Sequence, residues 1–168
     1  MKRLSIILVM VLAFATSNAQ VGILKVVDSM DDSVTYLPSS KFVVTNPEQN
    51  KGFGIQSLIN KSITGISMLI VTPIGIGNCN ENNTLIFKFK NGDRITVKSW
   101  NKFDCDVSYF TVTKKLYRAL ISDKVVKIKF QNGYTHDSLT AEVNEEDQTY
   151  FIELDEALKA KDFKLVTE

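Results

Sequence analysis

The sequence predicts an α+β fold, mainly antiparallel β-sheet in a sandwich-like or open arrangement, with two amphipathic helices in the C-terminal third. Two observations lead to this prediction. Short β-branched runs separated by turn-forming residues fill the first two-thirds of the chain, which is typical of strands and hairpins. Apolar residues at helical spacing appear only after residue 113, in two separate segments. Many strands followed by two helices favour the α+β class.

Five segments before residue 75 have strand composition: residues 23–27, 34–37, 41–45, 53–59 and 65–72. The intervening sequences DSMDDS and NPEQNKG are typical of turns and loops. The fourth segment alternates apolar with small or polar residues, as a strand with one buried face does. The fifth segment is more uniformly apolar, and we therefore expect a strand covered on both faces.

The clearest hairpin is TLIFKFKNGDRITVKSW, which carries an Asn-Gly pair at its centre. A two-residue loop would mix apolar and polar side chains on each face. A three-residue loop, residues 90–92, instead places Phe87 opposite Ile95. The same register places Leu85 opposite Val97. We predict this loop, a type I turn followed by glycine in the left-handed conformation.

A first helix is predicted over KKLYRALIS, which has an apolar stripe at helical spacing and Thr113 as its capping residue. Residues 126–130 and 138–143 then alternate as strands, with an ambiguous register between them. A second helix is predicted to follow Asn144, because the acidic residues after it suit the positive end of a helix dipole. Its apolar stripe consists of Phe151, Leu154 and Leu158.

The N-terminus has the features of a secretory signal peptide. Lys2 and Arg3 precede an apolar run over residues 4–15, which is too short to span a bilayer. Small residues then form a cleavage site after Ala19. We expect removal of residues 1–19 and export to the periplasm or the extracellular space.

The expected mature chain, residues 20–168, is long enough for a single α+β domain, and no linker-like segment divides it. Loss of two basic residues with the signal peptide would move the formal charge from +1 to −1. This balance argues against nucleic acid or an anionic membrane as a partner. Pro73 and several glycines interrupt the longest later apolar stretch, so we expect no membrane span.

The two cysteines, Cys79 and Cys105, lie at the far ends of the predicted hairpin. Its register places them within two positions of being directly opposite, close enough for a disulfide if the strand pairing extends that far. Pairing is the usual fate of two cysteines in an oxidising compartment, and we predict a disulfide. Two free thiols are the alternative. A nearby histidine for catalysis and the short ligand spacing of a zinc site are both missing.

Trp100, Asn101 and Phe103 are the candidate ligand-binding residues. An exposed aromatic platform beside polar side chains could stack on a sugar ring or hold a peptide. Packing of these aromatic side chains in the core is the alternative.

Other candidate chemistry is weaker. His136 is followed by an acid, but adjacent strand residues point to opposite faces, so a surface histidine is expected. Two groups of carboxylates could bind calcium, although neither has EF-hand spacing. The acids of these two groups are Asp28, Asp31, Asp32, Asp104 and Asp106. We predict no catalytic residue, metal or cofactor.

These observations lead us to expect an exported, non-catalytic binding or interaction module of the cell envelope, with a glycan, peptide or protein as its partner. One alternative is a hydrolase of carbohydrate or peptide that uses a pair of carboxylates such as Asp104 and Asp106. Another is an assembly protein that pairs with a partner through an edge strand.

Overall fold

The computed structural model describes residues 21–27, 34–40, 42–46, 48, 50–60, 62–76, 82–100, 107–161 and 163–167. Its helices are α1 (Lys114–Ser122) and α2 (Tyr150–Ala160). Its strands are β1 (Ile23–Val27), β2 (Val34–Pro38), β3 (Phe42–Thr45), β4 (Gly52–Ile59), β5 (Ile66–Ile74), β6 (Thr84–Phe89), β7 (Arg94–Lys98), β8 (Ser108–Thr111), β9 (Val125–Gln131), β10 (Ser138–Glu142) and β11 (Phe163–Thr167).

The strands form three sheets, with strand orders β11-β1-β2, β10-β9-β6-β7 and β3-β4-β5-β8. All neighbours pair antiparallel except β1 and β11, which pair parallel. The predicted α+β fold with antiparallel sheets is therefore confirmed. The sequence analysis did not predict β11, because that segment is only five residues long and follows closely on the last helix.

The β6–β7 hairpin has the predicted register. Phe87 lies opposite Ile95, and Leu85 lies opposite Val97. The N–H of Gly92 donates to the carbonyl of Phe89 at 3.0 Å, and Gly92 has a φ of +94°. Glycine adopts this left-handed conformation without the steric cost that a Cβ would add. The three-residue loop is confirmed.

Phenylalanine side chains join the two four-stranded sheets and α2. The ring centroids of Phe53 in β4 and Phe130 in β9 lie 5.9 Å apart. The ring of Phe151 in α2 lies 5.7 Å from that of Phe42 in β3 and 6.2 Å from that of Phe87 in β6. Each of these five side chains is at most 1% exposed. Helix α2 therefore packs against strands of both sheets, and aromatic burial contributes much of the core stability.

The two four-stranded sheets also meet along one pair of edges. The backbone N–H of Trp100, just after β7, donates to the carbonyl of Tyr109 in β8 at 2.8 Å. On the opposite side, β10 lies beside β3. The outward surfaces of the two sheets are therefore continuous where β7 and β8 meet.

The two helices differ in how well the sequence predicted them. Thr113 caps α1 as predicted, because its hydroxyl accepts from the N–H of Leu116 at 3.2 Å. The prediction that a helix follows Asn144 directly is wrong: residues 145–149 form turns, and α2 begins at Tyr150. The carbonyl of Asn144 accepts from the N–H of Asp147 at 3.0 Å, which closes a turn instead of starting a helix. Neither helix has the length and apolar character needed to cross a bilayer, among the residues described.

Strand β5 departs from its prediction. Its residues alternate between buried and more exposed positions, and Ile74 is 55% exposed. The expectation that both faces are covered is therefore wrong among the described residues. Pro73 pairs with Phe53 of β4 beyond the last residue that pairs with β8. A proline without an N–H is tolerated there because β5 has a neighbour on one side only.

Candidate ligand-binding surface

The outward side chains of β10, β9, β6 and β7 form a twelve-residue grid that we call the cationic face. The inward residues of the same strands are largely buried, so the alternation along each strand sends the grid residues outward. Five of the twelve are basic and one is acidic. From β10 to β7 the three rows are Ser138, Gln131, Thr84, Lys98; Thr140, Lys129, Ile86, Thr96; and Glu142, Lys127, Lys88, Arg94.

The third row of the cationic face places three cations side by side. Lys88 lies directly opposite Lys127 on one side and Arg94 on the other. Neighbouring strands are about 4.8 Å apart, and like charges directly opposite each other destabilise a sheet. Lys127 forms an ion pair with Glu142, at 2.5 Å between Nζ and Oε1. Among the described residues, the other four cations of the face have no carboxylate within ion-pair distance.

A shallow cavity of about 190 Å³ opens on this face. Its lining residues are Ile86, Lys88, Arg94, Lys127, Lys129 and Thr140. The apolar floor at Ile86 is thus surrounded by positive charge. An arrangement of this kind suits a ligand with an apolar surface and anionic substituents.

A second groove, of about 340 Å³, lies between the β6–β7 loop and α1, and Arg94 lines both cavities. Lys115 and Arg118 of α1 add two cations to its wall. Its two carboxylates are occupied by loop contacts. Asp123 accepts from the N–H of Asn91 at 2.9 Å, and Asp93 accepts from the Asn91 side-chain amide at 3.0 Å.

Trp100 stands at the corner where β7 meets β8. Its indole ring stacks on the ring of Tyr109, with centroids 6.0 Å apart and planes 30° apart. Its Nε1–H donates to Oγ1 of Thr111 at 2.6 Å. Trp100 is nevertheless 49% exposed. We call Trp100 and Tyr109 the aromatic platform. The indole ring of Trp100 is held in place yet remains open to solvent.

On the other side of this platform, the outward side chains of β3, β4, β5 and β8 form what we call the uncharged face. None of its members carries a charge, and several are apolar. They are Val43, Thr45, Gly54, Gln56, Leu58, Met68, Ile70, Thr72, Ile74, Tyr109 and Thr111.

The structure describes only some of the site residues that were predicted from the sequence. Trp100 is exposed, so the alternative of core packing is wrong for this side chain. Asn101, Phe103 and both cysteines lie outside the described residues, as do the five acids considered for calcium. His136 is exposed, as expected for a surface histidine. The cationic face was missed, because its lysines and arginine come from separate strands whose pairing the sequence does not specify.

The most buried carboxylate described, Asp155 at 5% exposure, has partners from both helices. The hydroxyl of Tyr117 in α1 donates to its Oδ1 at 2.5 Å, and Nζ of Lys159 lies 2.6 Å from its Oδ2. Burial, and then the bond to Asp155, raise the pKa of Tyr117 well above its usual value. The same carboxylate raises the pKa of Lys159. Both carboxylate oxygens are occupied, so this cluster joins α1 to α2 and does not have the arrangement of a general base.

Within the described ranges, no three His, Cys, Asp or Glu side chains lie close enough together to hold a metal ion. Comparison with models of known protein families, with curated proteins and with solved structures gave no match to this chain. The function must therefore be argued from the surface itself.

Proposed function

We propose that this protein is an exported, non-catalytic binding module of the cell envelope that holds a glycan against its aromatic platform. The observation that supports this most is the state of Trp100, which is half exposed although stacking and a hydrogen bond fix its ring. A large aromatic ring normally becomes buried, because it gains stability from leaving water. A ring that is fixed but left open is arranged to receive another apolar surface.

The chemistry of the platform favours a sugar. The apolar face of a sugar ring can stack on indole while its hydroxyl groups bond to neighbouring polar side chains. Fixing the ring in advance also lowers the entropy cost of binding, since no rotamer freedom is lost when the ligand arrives. A peptide side chain is the alternative ligand for the same platform.

The hydrolase alternative has less support among the described residues. Two acids must converge on a substrate for carboxylate-based hydrolysis. Asp93 and Asp123 share a groove, but each is engaged by the loop between β6 and β7. Asp155 is paired with Tyr117 and Lys159.

Three further parts of the proposal are supported less directly. Export and the Cys79–Cys105 disulfide rest on the sequence pattern at the N-terminus and on the hairpin register. A sandwich-like packing of the two four-stranded sheets is supported by the contact between Phe53 and Phe130. Intact-mass spectrometry of the exported protein, with and without reductant, tests the first two. A chain beginning at Gln20 and lacking two hydrogens before reduction is expected; residues 1–19 retained, or two free thiols, would contradict them.

Fluorescence titration tests the binding function, because Trp100 is the only tryptophan in the chain. Neutral and acidic envelope oligosaccharides are added to the purified protein while the emission is recorded. We expect a saturable change in emission with at least one of them. Calorimetry on Trp100→Ala should then show affinity lower by about tenfold, equivalent to about 1.4 kcal/mol.

Tyr134→Ala is the matched control, because Tyr134 is an aromatic residue that is 82% exposed and lies in the β9–β10 loop. This variant should bind as the wild type does. Thermal melting of both variants checks that they are folded. Unchanged affinity in Trp100→Ala, or no saturable binding of any oligosaccharide, would count against a glycan-binding platform.

A further inference from the structure

The outward residues of β7 lead from the cationic face directly to the aromatic platform. Arg94, Thr96 and Lys98 are exposed on one side of the strand. The alternation continues past the strand end, since the hydroxyl of Ser99 is buried and Trp100 is exposed. At about 3.3 Å per residue, the line from Arg94 to Trp100 is about 20 Å long, enough for several sugar rings.

This line carries positive charge that the fold does not use. Among the described residues, neither Arg94 nor Lys98 has a carboxylate within ion-pair distance. At its far end Arg94 lies beside Lys88, which in turn lies beside Lys127. The structure thus keeps a row of like charges that costs stability at one end of this line, and an open aromatic ring at the other end.

We propose that the ligand is an acidic glycan, whose sugar ring stacks on Trp100 while carboxylate groups further along the chain bind Lys98 and Arg94. This inference rests on the proposed function, because it takes the aromatic platform to be the sugar-binding site. The guanidinium of Arg94 can bind a carboxylate through two parallel hydrogen bonds, and it lines both the cavity on the cationic face and the groove beside α1. The apolar floor at Ile86 would contact the next sugar ring.

Single-stranded nucleic acid also combines anionic groups with flat rings, but the surface fits it less well. Proteins that bind it interleave basic with aromatic side chains so that successive bases can stack. The twelve residues of the cationic face include no aromatic one. The chain is also close to neutral, with a pI of about 7.7, whereas nucleic-acid-binding domains are strongly basic as a rule.

The test compares an oligouronate with the same oligosaccharide as its neutral methyl ester, at low and at moderate salt. We expect the oligouronate to bind about tenfold more tightly at low salt, and this advantage to shrink as salt is added. Arg94→Gln and Lys98→Gln should weaken binding of the oligouronate much more than binding of the neutral ester. Lys51→Gln, which removes an exposed lysine from the β3–β4 loop, is the control and should change neither affinity.

The outcomes separate this inference from the function on which it rests. Equal affinity for the oligouronate and its ester would overturn the acidic-glycan inference and leave the glycan-binding platform intact. Tighter binding of an oligodeoxynucleotide than of the oligouronate, with a steep salt dependence, would overturn it in favour of nucleic acid. Binding of neither sugar would remove the proposed function and this inference with it.

Discussion

The two outward sheet faces of this protein differ in charge although they cover the same core. The cationic face carries five basic side chains and one acid, whereas the uncharged face carries none of either. Behind both faces the inward residues are the same kind, mainly Phe, Leu, Ile and Val, and they meet in one set of contacts. Packing therefore determines the inward residues of both sheets and leaves the outward ones free to differ.

This difference teaches which residues to attribute to function. Inward phenylalanines are explained by burial alone. Outward lysines in adjacent strands are not, because direct opposition of like charges lowers stability and alternating signs would raise it. The cationic face is thus the region where the sequence departs from what the fold requires. Such departures are expected at functional sites.

The largest effect should come from the residue that joins the two faces. Phe151→Ala removes a ring that contacts Phe42 behind the uncharged face and Phe87 behind the cationic face. The lost burial and the resulting cavity should lower the free energy of unfolding by about 3–5 kcal/mol. Urea denaturation, followed both by Trp100 emission and by far-ultraviolet circular dichroism, measures it.

The two signals report on different parts of the molecule, so this experiment also tests whether the faces share one cooperative unit. Coincident transitions in the wild type and in Phe151→Ala are expected. Separate transitions would mean that each sheet unfolds alone and that the comparison concerns two independent bodies. Val43→Ala, at a half-exposed position on the uncharged face, is the control and should cost far less.

A smaller loss of stability is expected when a hydrogen bond to the buried carboxylate of Asp155 is removed. Tyr117→Phe removes the hydroxyl that donates to the buried carboxylate of Asp155, and Lys159 remains as its other partner. A hydrogen bond to a charged group contributes about 1.5–3 kcal/mol, so stability should fall by about that amount. Chemical denaturation of this variant and of Tyr134→Phe, at an exposed position, isolates the effect. A loss of stability no larger than in the control would show that the hydrogen bond from Tyr117 to Asp155 does not stabilise the fold.

Replacing a charged residue of the cationic face should instead raise the stability of the protein. Lys88→Glu turns two repulsive neighbours, Lys127 and Arg94, into attractive ones. We expect stability at low salt to rise by about 0.5–1.5 kcal/mol, while affinity for the oligouronate falls. Lys88→Gln removes the repulsion without adding attraction and should give a smaller gain.

Thermal melting over a range of salt concentrations checks this prediction. Salt should stabilise the wild type and reduce the difference between it and Lys88→Glu, because screening weakens both repulsion and attraction. A loss of stability in Lys88→Glu at low salt would mean that the row of cations is not strained. The two faces would then differ in charge, but the row of cations would not lower the stability of the protein.

The sequence predicted the parts of this structure that depend on neighbours in the chain. The β6–β7 register followed from one glycine and from the parity of Leu85 and Phe87, both local features. The cap at Thr113 was local in the same sense. By contrast, the pairing of Phe87 with Ile128 of β9 joins segments about forty residues apart, and nothing in either strand specifies the other.

The candidate site divides in the same way. Trp100 stood out because it lies beside other aromatic and polar residues in the sequence SWNKF. The cationic face could not be predicted, because Lys88 and Lys127 become neighbours only when β6 pairs with β9. The burial of Asp155 was equally unpredictable, since an acid in the middle of an amphipathic helix is usually exposed. The cationic face and the burial of Asp155 both depend on which segments pack together in the fold. Sequence periodicity does not reveal this.

The smallest effect concerns the acidic counterpart of the cationic row, at the turns before α2. Burial, and then repulsion by Glu146, raise the pKa of Asp147; the side chain of Asn144 acts in the opposite direction, and Glu153 raises it further. A carboxyl group whose pKa is higher in the folded than in the unfolded state binds more protons when folded. Stability should therefore fall as pH rises from the ordinary aspartate pKa through the folded value. Below that window the penalty is absent, and above it the penalty is complete.

Asp147→Asn removes this titration and should melt slightly higher than the wild type at neutral pH, with the difference disappearing toward pH 3 to 4. Paired thermal melts between pH 3 and 7 measure the difference, which cancels the titration of all other acids. A variant that melts lower than the wild type at neutral pH would show instead that the carboxylate stabilises the fold. Like-charge crowding at the acidic turn can be relieved by taking up one proton. On the cationic face, we propose that binding of an anionic ligand relieves the crowding of like charges.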